Sequence, residues 1–227
     1  MIDELVPWLS NKSSKESLIL TEKYAPIMSH TVNVEIRELT PDLLDDYLRF
    51  FDKEAFTDFP EWSGCYCGFY DTSGDEWDAS ADAGPAHRAA RAERIRSCKA
   101  HGLLAIVDGR VVGWCNAQSR SNFLNMRRYA TVVDDPTEAV GSIMCFLVAP
   151  GHRGRGIGKA LLSAACDKFR RDELHVAEGY PTTNPVKRAW ETPWAEENYK
   201  GPLSMYLKAG FKIHRQLEHF AIVRKQL

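Results

Sequence analysis

A short segment rich in glycine and basic residues separates an apolar run from a helical pattern. It consists of Arg153-Gly154-Arg155-Gly156-Ile157-Gly158-Lys159. Glycines in such a turn let main-chain N–H groups approach a ligand closely, and the N-terminus of a following helix favours negative charge. The basic side chains add positive charge. The segment therefore predicts a site for a phosphate-bearing ligand, and a plain strand-to-helix turn is the alternative.

Two common nucleotide motifs do not fit this segment. A P-loop needs a glycine five residues before Gly158, where Arg153 stands, and a serine or threonine after Lys159, where Ala160 stands. A dinucleotide fingerprint needs the spacing G-x-G-x-x-G and an acidic residue about 20 residues later. Here the spacing is G-x-G-x-G, and no such acid ends a second parallel strand. The predicted anion is therefore neither of these nucleotide classes.

Hydrophobic periodicity predicts the elements that position this turn. The expected strands are 32–36, 103–107, 111–117, 141–148, 175–178, 211–213 and 220–223, and the expected helices are 41–51, 86–100, 156–170 and 203–209. Asp108-Gly109 between two β-rich runs predicts a tight hairpin. The order indicates a mixed α/β chain with antiparallel strands first and a βαβ unit later.

These residues resemble the GNAT superfamily of acetyl-CoA-dependent N-acetyltransferases. The turn matches the family's R/Q-x-x-G-x-G/A loop, the run 146–150 is similar to its fourth strand, and Tyr206 to Phe211 is similar to its Y-x-x-x-G-F segment. The resemblance covers about residues 33–227. It implies an α/β (α+β) fold: a mixed, mostly antiparallel sheet, splayed at the fourth and fifth strands, with helices on both faces.

The resemblance also implies a chemistry. Acetyl-CoA would be the co-substrate, and a neutral primary amine would attack its thioester directly in a ternary complex, with no metal. The residues implied in binding acetyl-CoA are Phe146, Leu147 and Val148 for the pantetheine, and Arg153, Gly154, Arg155, Gly156, Ile157, Gly158 and Lys159 for the pyrophosphate.

Two proton-transfer groups are needed for this reaction. Many members of the family carry a glutamate base on the fourth strand, but the matching position here is Ser142. Glu178, on the next strand, is the expected substitute, and a structural carboxylate paired with an arginine is the alternative. The resemblance implies Tyr206 as the general acid that reprotonates the CoA thiolate; the alternative is a tyrosine that only packs.

The loop after the first helix is expected to border the acceptor site. Its aromatic residues Trp62, Tyr66 and Tyr70 are the candidate substrate contacts, and a small core within the loop is the alternative. Cys65 and Cys67 lie in the same stretch, but without a second pair of ligands they do not predict a zinc site.

Acidic residues follow in this loop, at Asp71, Asp75, Glu76, Asp78 and Asp82, and a basic helix comes directly after them. The acids could attract a cationic amine. A solvated loop paired with its own helix is the interpretation that charge patterning favours.

Composition limits the partners of the protein. The 227 residues are 44% hydrophobic and 26% charged, with a formal net charge of −2, so no nucleic-acid partner is expected. The longest apolar run, Ile143 to Ala149, is too short to cross a bilayer, and the acidic start does not resemble a signal peptide. A cytoplasmic protein with reduced cysteines and no membrane partner is expected.

The chain is expected to have two parts. Residues 1–32 form an N-terminal arm that packs on the body or on a second subunit, as in a homodimer, with a loosely ordered tail as the alternative. Residues 33–227 form the catalytic domain. The predicted function is N-acetyl transfer to a small-molecule or protein amine. The alternatives are a non-catalytic module that binds CoA or acyl-CoA, suggested by Ser142, and a toxin-type enzyme that acetylates aminoacyl-tRNA.

Overall fold

The computed structural model describes residues 33–73, 77, 83–126, 135, 137–183 and 198–227. Within them lies a seven-stranded sheet with the order β1-β2-β3-β4-β5-β7-β6. The strands are β1 (Glu35–Glu38), β2 (Leu103–Val107), β3 (Arg110–Ser119), β4 (Val140–Val148), β5 (Val176–Gly179), β6 (Lys212–Gln216) and β7 (Ala221–Gln226). Neighbouring strands are antiparallel except β4 and β5, which are parallel. The predicted mixed, mostly antiparallel sheet is confirmed.

Four α-helices accompany the sheet in the described residues: α1 (Leu44–Lys53), α2 (Ala83–Arg96), α3 (Ile157–Arg171) and α4 (Leu203–Lys208). Pro41 opens a short 3-10 turn that leads into α1, as a proline at a helix start does. Strand β1 lies later than predicted because its pairing with β2 runs from Glu35, opposite Ile106, to Glu38, opposite Leu103. The N-terminal arm and the acids at 75, 76, 78 and 82 lie outside the described residues.

Helices cover both faces of the sheet. On one face, Tyr47 and Phe51 of α1 pack around Trp114 of β3, with Tyr47 edge-on to the indole at 5.1 Å. On the other face, α3 approaches β4 so closely that a Cβ atom at Gly141 would lie 2.3 Å from the Phe169 ring. Period-two alternation therefore buries both faces of the central strands, which explains their nearly continuous apolar sequence.

The β2–β3 hairpin closes with Asp108 and Gly109, whose φ angles are +49° and +72°. Both residues are left-handed, as a type I′ turn requires, so the predicted Asp-Gly turn is confirmed.

Strands β4 and β5 separate after a short parallel pairing. They pair only from Val140 to Ile143 on β4. Opposite β3, Cys145 pairs with Asn116 and Ile143 with Ala117, so Met144 is an extra residue that forms a bulge. The second half of β4 consequently leaves β5, and a gap opens between the two strands. This is the predicted splay.

The described part of the chain contains no helix long and apolar enough to cross a membrane. All six cysteines are free thiols. Cys115 and Cys166 are buried in the core on the α3 side of the sheet.

Candidate active site

The glycine-rich turn joins β4 to α3. After Val148 the chain makes a 3-10 turn, Pro150–His152, and passes through Gly154 and Gly156, whose φ angles are +74° and +83°. L-residues rarely adopt such angles, so these two glycines are required by the backbone itself. Helix α3 begins directly after Gly156, which supplies no side-chain cap. The N–H groups of its first turn therefore point out of the helix without an internal acceptor.

A cavity of about 400 Å³ lies over this turn and along the free half of β4. We call it the glycine-turn cavity. The predicted acetyl-CoA residues that line it are Phe146, Leu147, Val148, Arg153, Gly154, Gly156, Ile157, Gly158 and Lys159. Arg155 is exposed and does not contribute to the lining. The concave wall of main-chain donors fits a diphosphate.

Arg153 holds the turn together. Its Nε donates to the main-chain oxygen of Val148 at 2.9 Å, and its guanidinium forms an ion pair with Asp58. By contrast, the described residues offer no ion-pair partner to Arg155 or Lys159. Arg153 is therefore a scaffold for the turn, while Arg155 and Lys159 are the cations left for a ligand.

The gap between β4 and β5 is occupied at one point by another part of the chain. The N–H of Phe146 donates to the main-chain oxygen of Tyr199 at 2.6 Å. We call residues 198–202, between the undescribed stretch and α4, the gap segment. The edge of β4 on which the pantetheine was expected to pair thus already holds a main-chain partner.

Tyr206 lies beneath this gap segment. Its hydroxyl donates to the main-chain oxygen of Lys200 at 2.8 Å, and its ring is fully buried against Phe146 and Phe211. A Cβ atom at Gly179 would lie 2.4 Å from that ring. Burial raises the pKa of Tyr206 well above its usual value. Its role as general acid stays a prediction, because Tyr206 lines neither cavity while its hydroxyl is bonded to residue 200.

Glu178 is fully buried and lies opposite Ser142 in the parallel register. Its Oε2 accepts from Arg224 Nε at 2.6 Å, and its Oε1 accepts from Arg120 at 3.4 Å and from the Tyr180 hydroxyl. That hydroxyl is also 3.0 Å from Ser142 Oγ. Both carboxylate oxygens are thus engaged, and Glu178 lines neither cavity described here. Its role as the base stays a prediction.

A second cavity, of about 470 Å³, adjoins the first. Its walls are aromatic rings, three thiols and one leucine, and we call it the aromatic cavity. It is lined by Phe56, Trp62, Cys65, Cys67, Phe69, Tyr70, Trp77, Cys145, Leu147 and Tyr199. Two of the three predicted acceptor contacts, Trp62 and Tyr70, are among them. Tyr66 is not: it stacks on Phe51, and its hydroxyl donates to Asp52 at 2.6 Å.

A tight turn explains why Cys65 and Cys67 face this cavity while Tyr66 does not. Tyr66 and Cys67 have φ angles of +43° and +47°, and the Gly68 N–H donates to the Cys65 oxygen at 3.0 Å. Left-handed residues other than glycine are strained. Buried donors hold the turn in place: the Tyr47 hydroxyl binds the Tyr66 oxygen at 2.7 Å, and Asn116 binds the Cys67 oxygen at 3.3 Å.

A buried polar cluster lies behind this turn. Arg91 of α2 forms an ion pair with Asp71, and both side chains are fully buried. Gln118 donates to Asp71 at 2.8 Å, and Asn116 is 3.5 Å from the Cys67 sulfur. Asp71 pairs with the helix that follows its loop, as the favoured interpretation of the acidic loop expects. That interpretation expects a solvated pair, however, and this pair is buried. Arg91 is therefore withdrawn from the solvent-exposed side of the basic helix α2.

The thiol of Cys67 has an unusual environment. Donation from the Cys145 thiol lowers the pKa of Cys67, and the Arg91 guanidinium adds to this, whereas burial opposes it. Burial raises the pKa of the neighbouring Cys65 thiol to about 12. Among the described residues, no three His, Cys, Asp or Glu side chains are arranged to hold a metal ion.

The two cavities share the walls formed by Phe56, Trp62, Leu147 and Tyr199. They therefore meet at the free half of β4. Sequence reasoning did not identify Phe56, Cys145 and Tyr199 as site residues. Cys145 carried a usable signal, because it alternates with Phe146 on the splayed strand, whereas nothing local marks Tyr199.

Comparisons with known proteins agree with this geometry. The sequence matches the acetyltransferase (GNAT) family over residues 38–191. This chain belongs to the acetyltransferase (GNAT) family. The resemblance proposed from the glycine turn is thereby confirmed. No curated protein matches the chain.

A solved structure with a TM-score above 0.5 supports the fold. A GNAT-family acetyltransferase from Listeria monocytogenes superposes with a TM-score of 0.52 at 12% identity, covering 86% of this chain and 95% of that one. The PaiA N-acetyltransferase of Thermoplasma acidophilum, solved with coenzyme A, has a TM-score of 0.47 at 16% identity, covering 86% and 99%. YncA of Salmonella typhimurium, solved with acetyl-CoA, has a TM-score of 0.43 at 17% identity, covering 86% and 94%.

Proposed function

We propose that this GNAT protein transfers the acetyl group of acetyl-CoA to a primary amine by direct attack in a ternary complex. The observation that carries the proposal is the junction of the two cavities at Leu147 and Tyr199. One cavity suits a diphosphate and a pantetheine arm, and the other suits a small organic group. A junction at the free half of β4 would bring the amine and the thioester together.

Acetyl-CoA would bind as the co-substrate in the glycine-turn cavity. The pyrophosphate would accept from the first-turn N–H groups of α3, and Arg155 and Lys159 would add positive charge. The pantetheine would extend the sheet along β4 by pairing with its main chain. The Phe146 N–H now bonds to the Tyr199 oxygen, so the proposal requires this main-chain hydrogen bond to break while the Tyr199 side chain keeps its place in the wall of both cavities.

The chemistry is an acyl transfer. The amine nitrogen attacks the thioester carbonyl carbon, a C–N bond forms, the C–S bond breaks, and the CoA thiolate leaves. The nitrogen loses one proton to water, and the thiolate gains one proton. We propose Tyr206 as the donor to the thiolate, released when the gap segment moves. Among the described residues that line the two cavities there is no carboxylate, and Glu178 and the Tyr180 hydroxyl bonded to it both lie outside the linings, so Glu178 could act as the base only through intervening water.

A non-catalytic module that binds CoA remains the second candidate. Two observations favour it. A serine stands at position 142, where the base was expected, and no carboxylate lines either cavity among the described residues. This candidate predicts acetyl-CoA binding without release of free CoA in the presence of any amine. Release of CoA with formation of an N-acetylated amine eliminates it.

The test of binding uses Gly158→Asp. Position 158 is the second residue of α3 and lines the glycine-turn cavity, and a Cβ there has its nearest contact at 3.4 Å, with Met205. An aspartate in the first helical turn stabilises the helix but repels a bound pyrophosphate. We expect acetyl-CoA affinity, measured by calorimetry, to fall about tenfold or more while the melting temperature holds.

Ser163→Asp is the matched control. It places the same charge at an exposed position farther along the same helix, outside the cavity lining. It should leave acetyl-CoA affinity within about twofold, since exposed charges at a distance are screened. Equal affinity of Gly158→Asp and the wild type would remove the glycine turn from the proposal.

A further inference from the structure

We propose that the acceptor is a primary amine carried on an apolar, planar aryl group, which binds in the aromatic cavity with its nitrogen at the Tyr70–Tyr199 end. This inference rests on the proposed function, because it names the amine that the acetyl group reaches.

The walls of the aromatic cavity suit a flat ring. Phe69 meets Tyr70 edge-on at 4.9 Å and meets Trp77 edge-on at 5.4 Å. Rings at right angles to one another present both faces and edges to a guest, which is the arrangement that aromatic pairs prefer. The volume of about 470 Å³ lies within the range of small-molecule sites.

The described residues that line the aromatic cavity favour an apolar amine over an amine that carries a second charge. As far as the structure describes the chain, no residue that lines the aromatic cavity is charged. The ions buried behind it, Arg91 and Asp71, neutralise each other. A polyamine or a lysine-like acceptor with a second charge would lose hydration here without gaining a counter-ion, which is costly. An aryl group loses little on leaving water and gains dispersion contacts.

The same apolar walls reduce the need for a base that removes a proton from the amine. Transfer from water to an apolar site disfavours the charged form of an amine. The chain shows this effect beside the cavity, where burial lowers the pKa of Lys200. That ammonium lies 5.1 Å from the Phe220 ring and 5.7 Å from the Tyr199 ring. A primary amine that carries an aryl group and binds here would be favoured in its neutral form, which is the form that attacks a thioester.

The polar end of the cavity fixes the orientation of the guest. The hydroxyls of Tyr70 and Tyr199 lie 3.5 Å apart, and Tyr199 also lines the glycine-turn cavity. An amine nitrogen near these hydroxyls would lie on the side of the cavity nearest the thioester. The aryl group would then extend towards Phe69 and Trp77.

The test compares three amines with the full-length protein and acetyl-CoA. They are phenethylamine, its saturated analogue cyclohexylethylamine, and cadaverine, which carries a second charge. We expect kcat/KM for phenethylamine to exceed that for cyclohexylethylamine by up to about tenfold, and that for cadaverine by about 10²-fold or more. Equal or better transfer to cadaverine overturns the inference, while the proposed N-acetyl transfer stands.

Two matched substitutions separate the cavities. Phe69 lines only the aromatic cavity, and Phe59 lines only the glycine-turn cavity. Phe69→Leu should raise KM for phenethylamine severalfold and leave KM for acetyl-CoA unchanged. Phe59→Leu should raise KM for acetyl-CoA severalfold and leave KM for phenethylamine unchanged. An unchanged KM for phenethylamine in folded Phe69→Leu overturns the inference.

A binding measurement keeps the two proposals apart. Phenethylamine is titrated by calorimetry into protein saturated with CoA. Heat of binding that is reduced in Phe69→Leu supports the aryl site, whether or not any amine releases CoA. Failure of every amine to release CoA would overturn only the proposed catalysis. Absence of phenethylamine binding overturns the inference.

Discussion

The hydroxyl of Tyr206 has a structural partner in the fold and a proposed chemical partner in the reaction. It now donates to the Lys200 oxygen. We predict that acetyl-CoA binding frees it to protonate the thiolate, so Tyr206→Phe should lower kcat by about 10²–10⁴-fold with KM for acetyl-CoA retained. Steady-state kinetics with rate-limiting chemistry check this. A kcat within about twofold of the wild type leaves the tyrosine a packing role only.

The charges around Glu178 indicate that its carboxylate has a structural role. The guanidinium groups of Arg120 and Arg224 both pair with its buried carboxylate, and the partly exposed carboxylate of Glu138 pairs with the same two groups. Glu178→Gln should therefore lower the free energy of unfolding by about 1–3 kcal/mol, because the two guanidinium groups lose their buried partner and keep Glu138. Denaturant titration measures this loss.

The pH dependence of kcat/KM decides whether Glu178 has a second role. The geometry favours an unchanged profile for the folded fraction of Glu178→Gln, since the carboxylate lines neither cavity. Loss of the acid limb in that variant alone would instead establish Glu178 as the base.

At the scale of elements, the gap segment 198–202 occupies the edge of β4 on which the pantetheine is proposed to pair. It bonds to Phe146 through the Tyr199 oxygen and to Tyr206 through the Lys200 oxygen. We predict that CoA binding raises hydrogen exchange in peptides covering 198–202, while the Phe146 amide stays protected because the pantetheine replaces its acceptor. Hydrogen-exchange mass spectrometry with and without CoA tests this. Unchanged exchange in 198–202 would mean that the pantetheine binds without displacing the segment.

The splay that creates this gap follows from the bulge at Met144. An extra residue on β4 turns the strand away from β5, and only Val140 to Ile143 keep the parallel pairing. The glycine turn then follows at the end of the diverging strand. One irregularity in one strand thus leaves open the main-chain edge proposed for the pantetheine and places the glycine turn at the end of that edge.

At the scale of the whole molecule, the six thiols differ in accessibility. Cys98 is exposed, Cys65 is partly exposed, and the other four are buried. We predict that a thiol reagent modifies Cys98 first and Cys65 next, and that all six react under denaturation without reductant. Mass spectrometry over time gives the order. Fewer than six thiols under denaturation would reveal a disulfide.

The sequence alone determined the glycine turn, the hairpin and the order of the elements. These are local features: a positive φ at Gly154 and Gly156, an Asp-Gly turn, and periodicity within one helix or strand depend on residues that are neighbours in the chain. That is why the acetyltransferase family could be identified from a few contiguous motifs. Element boundaries shifted by a few residues because pairing partners, such as β2 for β1, set where a strand ends.

Only the tertiary structure decided which residues meet in the walls of the aromatic cavity, the proposed acceptor site. Its walls come from the loop after α1, from β4 and from Tyr199, which are far apart in the sequence. The same is true of Arg91, whose position in a basic helix suggested exposure until packing buried it against Asp71. Burial depends on which elements meet, and no local pattern records that. The chemistry of the anion site could therefore be predicted from adjacent residues, whereas the chemistry of the acceptor site had to wait for the fold.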